Sequence, residues 1–207
     1  MLYKNLHIPI NLPMLLKEEV SIDQSNLELI KKIKEANNTG ISSTIFLFKN
    51  YFSNNISKFV KPSLDLFLEE IIPILFQSKF KEEGLYQLLR FIDKIISNFP
   101  YVEALKNSSF VYQNLAKVFL FSGYVTNILT QDKKILDVLQ PEYAMRLNGN
   151  ISFYKNAFDK IDLNHLNEED ILDALRRNHR FLKFQILFAL INKEIDISRA
   201  SNEFSLL

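Results

Sequence analysis

Cysteine is absent from the 207 residues, and so is tryptophan. Without cysteine there is no disulfide framework, no thiolate nucleophile and no zinc–thiolate site. Glycine occurs only four times and proline six. β-Rich chains need turn residues at short spacing, and alternating apolar–polar runs are also missing, so the scarcity points to helices. Each glycine stands alone, at Gly40, Gly84, Gly123 and Gly149. That excludes the phosphate-cradling loops G-x-x-x-x-G-K-[ST] and G-x-G-x-x-G, and the nucleophile turn G-x-S-x-G is absent as well. No charge of one sign dominates: 25 Lys+Arg against 24 Asp+Glu leave a net charge of +1. A dedicated nucleic-acid binder carries a strong basic bias, so nucleic acid is not expected as a partner.

Long apolar runs are missing too. A membrane-spanning helix needs ~20 consecutive apolar residues. The nearest approach, Phe181 to Ile191, contains Lys183 and Gln185. Residues 1–20 lack a signal-peptide plan, because His7, Pro9, Asn11 and Pro13 interrupt them. These features lead us to expect a cytoplasmic protein without a membrane partner.

What is present is apolar and helical in period. Hydrophobic residues make up 47% of the chain, with 18 Phe among them. The expected fold class is all-α: a multi-helix bundle or irregular helical stack, with one long central helix near the C-terminus. Residues 1–20 read as an irregular arm and 21–207 as the helical region, with a weak boundary near 80–84. The expected helices are Gln24 to Lys34; a Phe-rich segment from Ser42 to Val60, broken at Asn54-Asn55; Leu64 to Gln77; and Leu85 to Ser97. Short ones follow at Tyr101 to Lys106, Phe110 to Phe121, Tyr124 to Leu129, Lys133 to Leu139, Glu142 to Leu147 and Ile151 to Ile161. Pro73 predicts a kink or a break in its helix. Ser109, Ser122 and Asp132 sit where caps are wanted.

The long helix is expected from Glu168 to about Asn192. Asn167 suits its cap, and Glu168, Glu169 and Asp170 suit the positive end of its dipole. Phe181, Phe184 and Phe188 form one apolar stripe, and Leu175, Leu182, Ile186 and Ala189 another. A helix apolar over so much of its circumference is expected to act as a spine for its neighbours. A last helix should be capped by Ser198 and dock through Phe204 and Leu207. It carries no stop signal before Leu207, so the chain reads as a fragment of a longer one.

Candidate chemistry concentrates in the same region. Arg176 and Arg180 stand at i and i+4, and Arg177 and Lys183 extend the cluster. Guanidinium groups so placed can hold a phosphate or a partner's carboxylates. The competing role is ion pairing along the helix, as for Asp173 and Arg177. His7, His165 and His179 lack metal-ligand spacing, so no metal site is expected. Glu194-Ile195-Asp196 resembles a metal-binding carboxylate pair, but no Gly-Ser loop precedes it, and it reads as a helix-ending turn. No catalytic residue is assigned.

Leu175-Arg176-Arg177, Arg180, Ile186 and the segment from Ser198 to Leu207 resemble a block of the bifunctional glutamine synthetase adenylyltransferases. There an L-R-R-x-x-R run leads into an apolar helix, a short break and a helix with an L-S-x-L-A-like pattern. Ser122 to Leu129, followed by Ile135 to Leu139, is similar to that family's S-x-F-L-A-x-x-L…L-L-x-x-L segment. The chain departs from the pattern at Lys133, where the family has Pro, and at Ala189-Leu190 and Asn192, where it often has Arg-Asp followed by Gly. The resemblance implies a non-catalytic helical region supporting AMP transfer to, or removal from, glutamine synthetase. The chemistry would belong to a neighbouring nucleotidyltransferase core using ATP and Mg²⁺; this chain itself is expected to hold no cofactor. The implied partners are glutamine synthetase and a regulatory signal protein. The alternative expectation is an independent α-helical interaction module unrelated to an enzyme.

Overall fold

The computed structural model describes residues 31, 40–53, 56–105, 109–139 and 167–205. Within them the chain is helical and contains no strand. In chain order the elements are α1 (Ile41–Ser53), α2 (Lys61–Phe76), α3 (Lys81–Ile95), α4 (Phe99–Ala104) and α5 (Ser109–Phe121). These are followed by α6 (Gly123–Leu129), a 3-10 segment (Lys133–Leu139), α7 (Glu168–Ile191) and α8 (Ile197–Ser205). The all-α class is therefore as expected, with the long helix near the C-terminus. The N-terminal arm, the helices expected at 142–147 and 151–161, and all of 24–34 except Lys31 lie outside the described residues.

Local signals explain most of the helix starts. Pro62 and Pro100 occupy the first turns of α2 and α4, where a missing N–H costs nothing. The Asn98 side chain accepts from the Tyr101 N–H at 3.3 Å, and that of Ser122 from the Tyr124 N–H at 3.2 Å. Asn167 caps α7 as expected, accepting from the Asp170 N–H at 2.9 Å. The cap of α8 is one the sequence reading missed. Asp196, and not Ser198, accepts the Arg199 N–H at 2.7 Å, so α8 begins at Ile197. A carboxylate there also suits the helix dipole.

Several boundaries moved for identifiable reasons. α1 keeps the expected break, stopping at Ser53 just before Asn54-Asn55, and Phe59 stands in a turn, 82% exposed. The inward stripe of α1 is Thr44, Phe48 and Phe52, while Phe46 faces outward. α2 runs unbroken through Pro73 to Phe76. Leu68, Ile71, Ile72 and Leu75 are fully buried on both sides of the proline, and that packing holds the two segments in line. α3 starts at Lys81 and so contains Gly84, despite glycine's ~1 kcal/mol helix penalty. A Cβ at Gly84 would lie 2.9 Å from a methyl of Leu75 and 2.9 Å from one of Leu120. Glycine lets α2, α3 and α5 approach closely at that point. Residues 133–139 form a 3-10 segment. Its buried residues pair as Ile135 with Val138 and Leu136 with Leu139, and a three-residue repeat eclipses i with i+3.

One hydrophobic cluster runs from Phe48 in α1 to Phe188 in α7. At its centre is α5, which touches α2, α3, α6, α7 and the 3-10 segment. Aromatic rings link the layers: Phe91 of α3 lies 5.2 Å from Phe119, 5.9 Å from Tyr101 and 6.4 Å from Phe67. The Tyr101 hydroxyl donates to the Leu129 carbonyl, and burial pushes its pKa well up.

α7 enters this cluster by its C-terminal half only. Leu182, Phe184, Gln185, Ile186, Phe188 and Ala189 are buried. Earlier in the same helix Leu172 is 45% exposed and Leu175 37%. The spine expected of α7 is thus divided between its own second half and α5. α7 ends in a Schellman turn: the Lys193 N–H donates to the Leu190 carbonyl at 3.1 Å, and the Glu194 N–H to the Ala189 carbonyl at 2.9 Å. Lys193 takes φ 60° there, in the left-handed region. The Lys117 ammonium of α5 donates to the Asn192 side chain at 2.8 Å and so ties this end to the core. Lys193→Gly should therefore stabilise the protein by about 1 kcal/mol, the cost of a left-handed non-glycine residue. Urea unfolding checks this, and a loss of stability would contradict it.

Candidate functional site

The first half of α7 carries the expected cluster. Arg176 and Arg177 are exposed, whereas Arg180 is half-buried. The ion pair seen is Arg176 with Asp173, at 3.2 Å, in place of the expected Asp173–Arg177 pair. Both side chains are more than half exposed, so the pair contributes at most about 1 kcal/mol. The Arg180 Nε is buried without a hydrogen-bond partner. Lys183, expected to extend the basic face, lies over the Tyr124 ring of α6, 5.1 Å from its centre. That contact fastens α7 to α6 and takes Lys183 away from the arginines.

Leu172, Leu175, Arg176 and His179 stand at i, i+3, i+4 and i+7, and all four are exposed. They form one outward stripe. On the adjoining face Ile171, Ala174 and Asn178 are half-buried. The helix thus presents two leucines flanked by cations, with its acidic first turn beyond them.

The other candidates take structural roles. Glu194 lies in the Schellman turn, and Asp196 is occupied as the α8 cap, as a helix-ending turn requires. Burial raises the Glu194 pKa, and Lys117 opposes the shift. Among the described residues no group of three or more His, Cys, Asp or Glu could hold a metal ion. His7 and His165 lie outside them. No described helix is long and apolar enough to cross a membrane.

The sequence reading missed a second polar feature, a groove between α3 and α6. Gln87, Arg90 and Lys94 line one wall; Gly123, Thr126, Asn127 and Thr130 line the other; Phe91 closes the floor. The two walls are i, i+3, i+7 rows of facing helices, and the α6 row holds no large side chain. Arg90 and Lys94, like charges at i and i+4, were the available signal, since such a spacing disfavours a helix unless something else uses it.

The fold and these surfaces define an all-α helical stack with a half-embedded long helix, α7. No family model matches the chain, and no curated protein or solved structure proves similar to it.

Proposed function

We propose that this chain acts by contact, as an α-helical docking module whose working surface is the outward stripe of α7. The observation that carries the reading is the contrast within one helix. Phe184 and Phe188 are fully buried, while Leu172 and Leu175 stay 45% and 37% exposed beside exposed cations. Apolar anchors ringed by polar groups are the usual anatomy of a protein-binding patch. A helix face read at i, i+3, i+4 and i+7 fits a partner groove.

The resemblance at Leu175-Arg176-Arg177 and Arg180 supplies the setting. In it, the module is the non-catalytic helical region of a glutamine synthetase adenylyltransferase-like enzyme of the cytoplasm. Its stripe would contact glutamine synthetase or the regulatory signal protein, and a neighbouring nucleotidyltransferase core would supply ATP- and Mg²⁺-dependent chemistry. Arg176 and Arg177 would meet carboxylates of the partner, with Leu172 and Leu175 in its apolar groove.

Titration of the isotopically labelled chain with purified glutamine synthetase, and separately with the signal protein, tests this. One of the two should broaden backbone resonances of Ile171 to Arg180 selectively. The double variant Leu172→Ala, Leu175→Ala should abolish the effect. Its stability should change by under about 0.5 kcal/mol per site, as for surface positions. If neither protein binds, the adenylyltransferase setting is wrong, and the independent interaction module is the reading that stands.

A further inference from the structure

We propose that the groove between α3 and α6 binds a small oxyanion that carries an O–H, of the hydrogenphosphate or phosphorylated-polyol class. The donors come first. The Arg90 guanidinium lines the groove, rests on the Tyr86 ring with 5.8 Å between them, and has no ion pair among the described residues. Lys94 reaches across to the side-chain carbonyl of Asn127, which fixes that amide and leaves its NH₂ as a further donor. Two cations along the α3 wall and the Asn127 amide facing them from α6 fit an anion with several acceptor oxygens.

The acceptors make the site more specific. Gln87 is 4% exposed, and its NH₂ donates to the Glu83 carboxylate at 2.7 Å. That partner sets the amide orientation, because a carboxylate only accepts. The Gln87 carbonyl oxygen is therefore buried with no donor, and such a group costs roughly 1–3 kcal/mol. It lies against Gly123, where a Cβ would come within 3.0 Å of it and 2.8 Å of the amide nitrogen. The Thr126 and Thr130 hydroxyls donate to the Ser122 and Asn127 carbonyls, so toward a ligand they can only accept. The groove thus pairs a cationic wall with acceptors that need a proton from the ligand. A fully deprotonated oxyanion satisfies the first and not the second. Its enclosed space is about 10 Å³, close to that of one water. One or two ligand oxygens enter and the remainder stays in solvent, so the affinity is low.

The test follows from the missing proton donor. The full chain, isotopically labelled, is titrated with inorganic phosphate at pH 6, with sulfate at equal ionic strength, and with glycerol phosphate. Phosphate should give saturable shifts at Gln87, Arg90, Gly123 and Asn127, with sulfate weaker by about tenfold, the equivalent of one lost hydrogen bond of about 1.4 kcal/mol. Arg90→Gln should weaken phosphate binding by about tenfold or more, while Lys58→Gln, at an exposed position outside the groove, leaves it unchanged. Tighter binding of glycerol phosphate than of phosphate assigns the O–H to an organic ligand; the reverse assigns it to phosphate itself. Equal shifts with phosphate and sulfate, shifts that never saturate, or binding indifferent to Arg90→Gln would overturn the proposal. Arg90 is half-exposed, so its variant remains folded, and circular dichroism of the same sample confirms that.

Discussion

Phe91→Ala is expected to cost about 3–5 kcal/mol in urea unfolding, toward the upper end of that range. Phe91 is fully buried in α3, and its ring meets Phe67 of α2, Tyr101 of α4 and Phe119 of α5. Removing it opens a cavity where four helices meet. It also forfeits three ring contacts, each worth ~0.5–1.5 kcal/mol beyond area burial. With total stability for a domain of this kind at ~5–15 kcal/mol, such a loss takes a large share. A cost below about 1 kcal/mol would mean the helices do not converge on this ring.

The second large effect separates the two halves of α7. Phe184 is fully buried, stacks against Phe188 at 5.9 Å, and belongs to the main core cluster. Phe184→Ala should cost about 3–5 kcal/mol. Leu175, on the same helix, is 37% exposed, and Leu175→Ala should cost under about 0.5 kcal/mol. Measured side by side, the pair asks whether one helix is both core and surface. Similar costs at the two positions would refute that division.

Much of this fold was legible in the sequence because it depends on local signals. Asn167, Ser122 and the acidic first turn of α7 mark helix starts wherever they occur, since a cap needs only the next turn to act on. The stripe of Phe181, Phe184 and Phe188 declared a buried face, and periodicity reports burial directly. The misses are contacts made across the chain. Nothing near Gly84 indicates that Leu75 and Leu120 will arrive beside it, so a helix-weakening glycine read as a helix boundary. Pro73 read as an interruption because the packing of Ile71, Ile72 and Leu75 is not visible to local rules. Ser198 reads as the cap in place of Asp196 because the length of the preceding Schellman turn is not legible in Asn192-Lys193, and Asp196 falls to the helix-ending turn. The apolar pattern of α7 continues into Leu172 and Leu175, so periodicity alone extended the buried face too far.

The same distinction governs the candidate sites. The cluster at Arg176, Arg177 and Arg180 is contiguous in sequence and was visible. Its division into an Asp173-paired Arg176, an exposed Arg177 and a half-buried Arg180 needed the neighbours of α7. The α3–α6 groove joins Gln87 to Gly123 across the whole of α4 and α5, and no motif search could assemble it. Its one local trace was the like-charged Arg90 and Lys94.

Native-state hydrogen exchange along α7 tests the central claim most directly, that this helix is anchored by its second half and presented by its first. Amides from Leu182 to Ala189 should exchange only through global unfolding, with the full stability of the protein. Amides from Leu172 to His179 should exchange through local opening at a clearly lower free energy, as expected of a segment with few buried contacts. Uniform protection from Leu172 to Ala189 would contradict the account, because α7 would then be core throughout and would present no surface.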